Sequence, residues 1–316
     1  MTERSMVMTE GLWSGADGST RYVVWVVVEG LTAGSLDIYP EWGSGAGKIE
    51  VPNLKSMAQA GTRVISCPGA PVSRSSDALS YLLTGRGQDR LFSLPGSGEK
   101  LWLGLFPFQP LAWAAEIPAR SPRCMIYSDL VPPSDGGAVD WPQVLAATPR
   151  ALVADTGGDE DEIRRFIEDR ILARFPGEST RARHGGGSEP HSALAWWLEW
   201  VGDAFLRSVW FSMTRPAGVT AMLHYPGPAL YRQSAGWDGY RRGVEEFDEF
   251  LGRLLLLREH EHLDDMLIIV TGDYAASGET APGGVPVVLQ GPQFDDGEVV
   301  EACTLTDVVH LVGLYA

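Results

Sequence analysis

The segment Met266–Glu279, which reads Met-Leu-Ile-Ile-Val-Thr-Gly-Asp-Tyr-Ala-Ala-Ser-Gly-Glu, decides the fold of this chain. Its first half is an apolar run with the length of a strand. The run ends at an acid, Asp273, which a loop of small residues follows. Ligands bind at the carboxyl ends of strands in open α/β sheets. The segment therefore predicts a central strand that delivers the Asp273 carboxylate to a site.

The rest of the chain alternates between apolar, β-branched runs and helical patterns. This alternation is typical of a mostly parallel sheet with helices on both faces. We predict a three-layer α/β/α sandwich over residues 21–316, with a polar tail at 1–20 and a Pro- and Gly-rich variable cap or insert at about 87–190. The predicted strands are Tyr22–Val28, Thr62–Ser66, Leu101–Leu105, Arg123–Tyr127, Val219–His224, Met266–Thr271 and Pro286–Gln290. The predicted helices are Asn53–Ala60, Ser76–Leu83, Asp159–Phe175, His191–Ser212, Asp238–Leu257 and Leu305–Leu314.

Composition limits the classes of function. A chain of 316 residues can bury a large core. Its net charge of −16 disfavours nucleic acids and anionic membranes as partners, and no apolar run has the length of a membrane span. The three cysteines are widely spaced, and the N-terminus lacks the order of a signal peptide. We therefore expect a cytoplasmic protein with a small-molecule substrate, and the oligomeric state stays open.

Further motifs follow one another in a fixed order along the chain. The motifs are the first strand ending in Glu29-Gly30, Pro52-Asn53-Leu54, Ser75 placed nine residues before Thr84-Gly85, Phe247–Leu255, Val285–Pro292 and Thr306–Gly313. With Met266–Glu279, they resemble the alkaline phosphatase superfamily, in its phosphodiesterase-like and sulfatase-like branches, from about residue 21 to the C-terminus. This resemblance implies the three-layer fold predicted above.

The resemblance also implies two metal ions, and the first metal position is altered in this chain. In the family that metal is held by an Asp after the first strand, by the nucleophile and by an Asp-His pair. The corresponding residues here are Glu29, Ser75, Asp273 and Tyr274. Tyrosine does not replace imidazole as a zinc ligand at neutral pH. Two carboxylates and a hydroxyl fit at most one weakly bound hard cation such as Mg²⁺, held by Asp273 and Glu29.

The second metal position has lost its ligands. The family holds that metal with an Asp-(three residues)-His motif and a later His. No histidine occurs in Tyr225–Gly243, which follows the corresponding strand, and Thr280 stands where the later His is expected. We therefore do not expect a two-zinc centre, and the cofactor is either absent or one weakly bound divalent cation.

Ser75 is the candidate nucleophile. It precedes an apolar helix, where free backbone N–H groups and the helix dipole favour an anion such as phosphate or sulfate. Ser75 or Ser76 also fits the simpler role of an N-cap. Arg74 has the chemistry to clamp an anion. We predict that Arg74, Ser76 and Thr280 bind the substrate.

The remaining candidates are acids and bases. His224 ends its strand, which suits either a functional imidazole or a satisfied core histidine. Tyr274 and Glu29 are candidates for general acid or base. We favour an enzyme reworked for metal-poor or metal-free chemistry on a small, anionic or phosphorylated substrate, in a specialised biosynthetic pathway. The alternatives are a catalytically inactive pseudoenzyme that binds or scaffolds, and a one-metal phosphodiesterase.

Overall fold

Nine strands form one sheet among the residues that the computed structural model describes, which are 20–43, 47–71, 75–84, 100–106, 124–128, 150–155, 165, 169, 190–213, 218–273, 284–294 and 297–315. The strand order across the sheet is β5-β4-β3-β6-β1-β7-β8-β2-β9. The strands are β1 Tyr22–Val28, β2 Thr62–Ser66, β3 Leu101–Phe106, β4 Cys124–Ser128, β5 Arg150–Asp155, β6 Val219–Tyr225, β7 Met266–Gly272, β8 Val287–Gln290 and β9 Glu298–Ala302.

The sheet is mostly parallel, as the sequence predicts. β1 runs parallel to β6 and β7, and Val28 pairs with both Tyr225 and Gly272. These three strands therefore end at the same level. Only β5 and β8 run antiparallel to their described neighbours. All residues of β1, β6 and β7 are buried, which explains why each strand is mostly apolar and does not alternate between apolar and polar residues.

Helices cover both faces of the sheet. Side chains alternate between the faces along β1, so Val24 and Val26 pack in one hydrophobic cluster and Trp25 and Val27 pack in another. The first cluster includes residues of α1, α3 and α4, and the second includes residues of α2 and α5. The predicted three-layer sandwich is thereby confirmed. The helices are α1 Pro52–Gln59, α2 Ser75–Thr84, α3 Pro190–Ser212, α4 Gly227–His260 and α5 Leu305–Tyr315.

Helix α4 is longer than its sequence indicates. It begins at Gly227 rather than at the predicted Asp238, and its backbone is non-helical at Ala235 and Gly236. Gly236 has a φ of 61°, which favours glycine. The predicted helix corresponds to the part after this break. The first part was missed because Gly227 and Pro228 are typical of turns, although proline is tolerated in the first turn of a helix.

Two edge strands, β5 and β9, were not predicted. Most residues of β9 are exposed at the edge of the sheet, so they form no apolar run. Strands β3, β4 and β5 lie within the stretch at about 87–190 and pair in the central sheet. All but two residues of the predicted helix Asp159–Phe175 lie outside the described residues, and the role of this stretch as a cap stays a prediction.

Two of the sequence motifs meet in the packing of α1 against α4. The Asp248 carboxylate of α4 is buried, and it accepts hydrogen bonds from the backbone N–H groups of Asn53 and Leu54 at 3.0 and 2.9 Å. It also accepts one from the Asn53 side chain at 2.9 Å. A Cβ added at Gly252 would lie 2.9 Å from the Asn53 side chain. These motif residues therefore fix the position of α1. Across the described residues, no helix combines the length and the hydrophobicity that crossing a membrane requires.

Replacing Asp248 with alanine tests this contact. The Asp248→Ala change removes the acceptor of three donors at the start of α1. We expect the free energy of unfolding to fall by about 2–3 kcal/mol, the cost of leaving buried donors unsatisfied. The matched control is Glu249→Ala, at the neighbouring exposed position of the same helix, for which we expect almost no change. Urea unfolding followed by circular dichroism measures both, and equal losses would contradict the assignment.

Candidate active site

Three neighbouring strands bring polar residues to one edge of the sheet. Asp273 directly follows β7, Glu29 directly follows β1, and His224 is the penultimate residue of β6. Because these parallel strands end at the same level, their carboxyl ends form one surface. This edge is where open α/β sheets bind ligands.

The Asp273 carboxylate lies at the centre of this group of strand ends and is fully buried. Its Oδ1 accepts a hydrogen bond from the backbone N–H of Gly30 at 2.9 Å. Its Oδ2 lies 3.2 Å from Nε2 of His224, whose side chain is also fully buried. When Asp273 is ionised it can only accept, so Nε2 then carries the ring proton. A charged group buried this deeply requires such partners.

Gly30 is suited to its role by its backbone. Its φ is 72°, in the left-handed region that other residues rarely adopt. A Cβ added at this position would meet Ala229 at an ordinary contact distance of 3.7 Å. The backbone conformation, and not the space, therefore favours glycine. The tight turn after β1 directs the Gly30 N–H group at the carboxylate.

A backbone frame holds the described residues on either side of the segment 274–283. The Ala70 N–H donates to the main-chain oxygen of Asp273 at 2.9 Å. On the other side of that segment, the Val285 N–H donates to the oxygen of Cys67 at 2.8 Å, and Gly284 pairs with Cys67. The segment Cys67–Ala70 therefore contacts Asp273 as well as Gly284 and Val285.

His224 and Asp273 lie on the same side of the sheet as α2. His224 and Thr271 are both register partners of Val27, which packs in the cluster that contains α2. Register partners on neighbouring strands point to the same face, and residues two apart share a face. Helix α2 begins at Ser75, so the predicted nucleophile starts the helix that covers the His224–Asp273 side.

The predicted site residues fall into two groups, those that the structure describes and those that it does not. It brings His224 and Asp273 together, and it places Glu29, whose side chain is partly exposed, beside Gly30. The side chains of Ser75 and Ser76 lie outside the described residues, as do Arg74, Tyr274 and Thr280 entirely. Their roles stay predictions.

The described donors do not fit the two-metal centre that the resemblance implies. No group of three or more His, Cys, Asp and Glu side chains converges in a way that could hold a metal, within the residues the structure describes. A tight zinc site needs three or four such donors. Both carboxylate oxygens of Asp273 already have protein partners, Gly30 and His224. A weak cation site at Asp273 and Glu29 stays a prediction.

The sequence predicts neither the contact between His224 and Asp273 nor the hydrogen bond from the Gly30 N–H to Asp273. The available signal was their position, because all three lie at the ends of apolar runs. The strand order was the missing information, since only β1 separates β6 from β7.

Comparisons with known proteins support the fold. No protein family model matches the chain, and no curated protein sequence matches it. Among solved structures, a sulfatase from Pseudoalteromonas sp. is similar, with 15% identity and a TM-score of 0.59 over 99% of this chain and 72% of that chain. The lipoteichoic acid synthase LtaP from Listeria monocytogenes has 11% identity and a TM-score of 0.53 over 96% and 74% of the two chains. A phosphonate monoester hydrolase from Silicibacter pomeroyi has 15% identity and a TM-score of 0.50 over 92% and 72%.

These neighbours are members of the alkaline phosphatase superfamily. At such low identity they show the fold alone. The chain shares the fold of these proteins, which is the fold that the resemblance found in the sequence implies.

The contribution of the buried pair can be measured by mutation. His224→Ala leaves the Asp273 carboxylate buried with one partner fewer, and we expect a loss of about 3–5 kcal/mol in the free energy of unfolding. Asp273→Ala should cost a similar amount, and the double variant should lose less than the sum because the two groups interact. Urea unfolding of the four proteins gives the coupling energy. The exposed His260→Ala is the control, and full additivity of the two single changes would contradict a direct interaction.

Proposed function

We propose that this chain is an enzyme that acts on a small anionic substrate without a two-metal centre, in a specialised biosynthetic pathway. The observation that carries the proposal is the fully buried His224–Asp273 pair at the carboxyl edge of the sheet. In this proposal the carboxylate that the resemblance assigns to a metal serves an imidazole instead. The site thereby retains a group that can accept a proton.

The roles follow from the geometry of the pair. Asp273 is held by Gly30 and in turn orients the His224 ring through Nε2. The carboxylate also stabilises the ring when it becomes positively charged, because opposite charges attract strongly where water is excluded. His224 is then the general base, and Nδ1 is the nitrogen that takes up the proton.

The substrate is expected at the start of α2. The free N–H groups of a helix N-terminus favour a phosphate, sulfate or carboxylate group. Ser75 is the proposed nucleophile there, and Arg74, Ser76 and Thr280 bind the anion. Tyr274 and Glu29 supply a proton to the leaving group. The names of the structural neighbours, a sulfatase and a phosphonate monoester hydrolase, are consistent with an anionic ester as substrate.

A pseudoenzyme is the second candidate, and a specific observation favours it. Neither His224 nor Asp273 has any exposed surface, so the pair can serve purely as a satisfied polar group of the core. In that case the fold binds a ligand or partner without chemistry. The one-metal phosphodiesterase is a third alternative, which the metal content of the protein tests.

A substrate panel separates the two candidates. The panel contains aryl phosphomonoesters, phosphodiesters, phosphonate monoesters and sulfate esters, each assayed with and without a chelator. We expect turnover that the chelator does not abolish. Ser75→Ala and His224→Gln should each lower kcat by about 10²–10⁴-fold, the usual contribution of a general base or nucleophile. His260→Ala, an exposed histidine, should keep full activity. Equal rates for wild type and the Ser75 and His224 variants on every ester would favour the pseudoenzyme.

Metal content gives an independent test. Protein purified without a chelator should carry far less than one equivalent of zinc, because a tight site needs three or four converging donors. Elemental analysis by mass spectrometry measures this directly. Two zinc ions per chain would refute the metal-free proposal. One zinc ion per chain in the wild type that is absent from His224→Gln would show instead that the His224–Asp273 pair binds a metal.

A further inference from the structure

Two cysteines lie side by side beyond the ends of neighbouring strands. β2 and β9 run parallel, and Ser66 pairs with Ala302. The next residue in each strand direction is a cysteine, Cys67 and Cys303, and the Cys303 N–H donates to the Ser66 oxygen at 3.1 Å. Neighbouring strands lie about 4.8 Å apart. That spacing is within the Cα separation of about 4.4–6.8 Å that disulfides span.

Both thiols are reduced and point into the same apolar environment. Each is buried, and both belong to the hydrophobic cluster beneath α2 and α5. A hydrogen bond with Cys303 raises the pKa of the Cys67 thiol well above its usual range, and burial of the thiol is the second largest cause. Since the thiolate is the reactive form, the Cys67 thiol reacts slowly at neutral pH and faster as the pH rises.

Cys67 also belongs to the backbone frame of the candidate active site. Its carbonyl oxygen accepts the Val285 N–H, and three residues later the Ala70 N–H donates to the Asp273 oxygen. These two bonds hold Asp273 and Val285, on either side of the segment 274–283, to which the predicted site residues Tyr274 and Thr280 belong. A displacement of Cys67 is therefore transmitted to Asp273 and Val285.

We propose that Cys67 and Cys303 form a reversible disulfide, and that this modification displaces the backbone frame that holds Asp273 and Val285 at the candidate active site. A hydroperoxide supplies the oxidising equivalents. One thiol attacks the peroxide oxygen, which gives a sulfenic acid and releases an alcohol or water. The second thiol then displaces water from the sulfenic acid and forms the S–S bond. A dithiol reductant returns the two thiols by exchange.

The structural effect follows from the bond length. When a disulfide forms, the distance between the two sulfur atoms must shorten from a non-bonded contact to about 2.05 Å. Cys67 therefore moves towards β9 when the disulfide forms. Both hydrogen bonds of the frame, Val285 to Cys67 and Ala70 to Asp273, are expected to lengthen. The amides of Ala70 and Val285 should consequently exchange with solvent faster in the oxidised protein.

The test begins with the full-length reduced protein and tert-butyl hydroperoxide. We expect the intact mass to fall by about 2 Da, the two hydrogens lost in a disulfide, and to recover with dithiothreitol. A non-reducing peptide map should join the peptides of Cys67 and Cys303. The Cys124→Ala variant, which keeps the pair, should behave like wild type. Cys67→Ala and Cys303→Ala should show no such loss, and circular dichroism checks that they fold.

Hydrogen exchange measured by mass spectrometry tests the second half of the proposal. The peptides that contain Ala70 and Val285 should exchange several-fold faster after oxidation, in wild type and Cys124→Ala but not in Cys67→Ala. Stable sulfinic acid, a bond to Cys124 or a disulfide-linked dimer in place of the internal bond would overturn the modification site. An internal disulfide with unchanged exchange would overturn its coupling to the backbone frame. Both readouts are independent of any activity, so they stand apart from the proposed function.

Discussion

Burial of one carboxylate is the constraint on which this structure depends. Asp273 has no exposed surface, and a buried charge is tolerated only with close partners. Those partners come from separate parts of the chain: the Gly30 N–H after β1 and the His224 ring of β6 contact the side chain, while the Ala70 N–H after β2 contacts the main chain. The requirement to satisfy Asp273 therefore fixes the relative positions of three chain segments at the edge where the site lies.

The contacts of Asp273 also bear on the proposed metal-poor chemistry. Glu29, Tyr274 and Thr280 stand at positions where the resemblance expects metal-binding residues. The Asp273 carboxylate contacts a backbone N–H and an imidazole of the protein itself. These protein groups hold the strand ends together, which suits a site that works without a two-metal centre, as proposed above.

The sequence predicts the centre of the sheet well and its margins poorly, for a physical reason. β1, β6 and β7 are buried on both faces, so each is mostly apolar and does not alternate between apolar and polar residues. β9 is exposed at the edge and carries no such signal. The candidate site is likewise predicted from the sequence only in part. That Asp273 and His224 lie at strand ends is visible in the sequence, whereas their contact depends on β1 alone lying between β6 and β7.

The energetics of buried ion pairs support the functional role proposed for His224 and Asp273. Apolar residues of similar volume can replace a buried ion pair at little or no cost, and sometimes they stabilise the protein. The face that holds His224 and Asp273 also carries apolar residues such as Val27. Stability alone therefore gives no reason for an imidazole and a carboxylate at this position. The proposed proton transfer gives one, because it requires an ionisable ring held in one orientation at the edge where substrates bind.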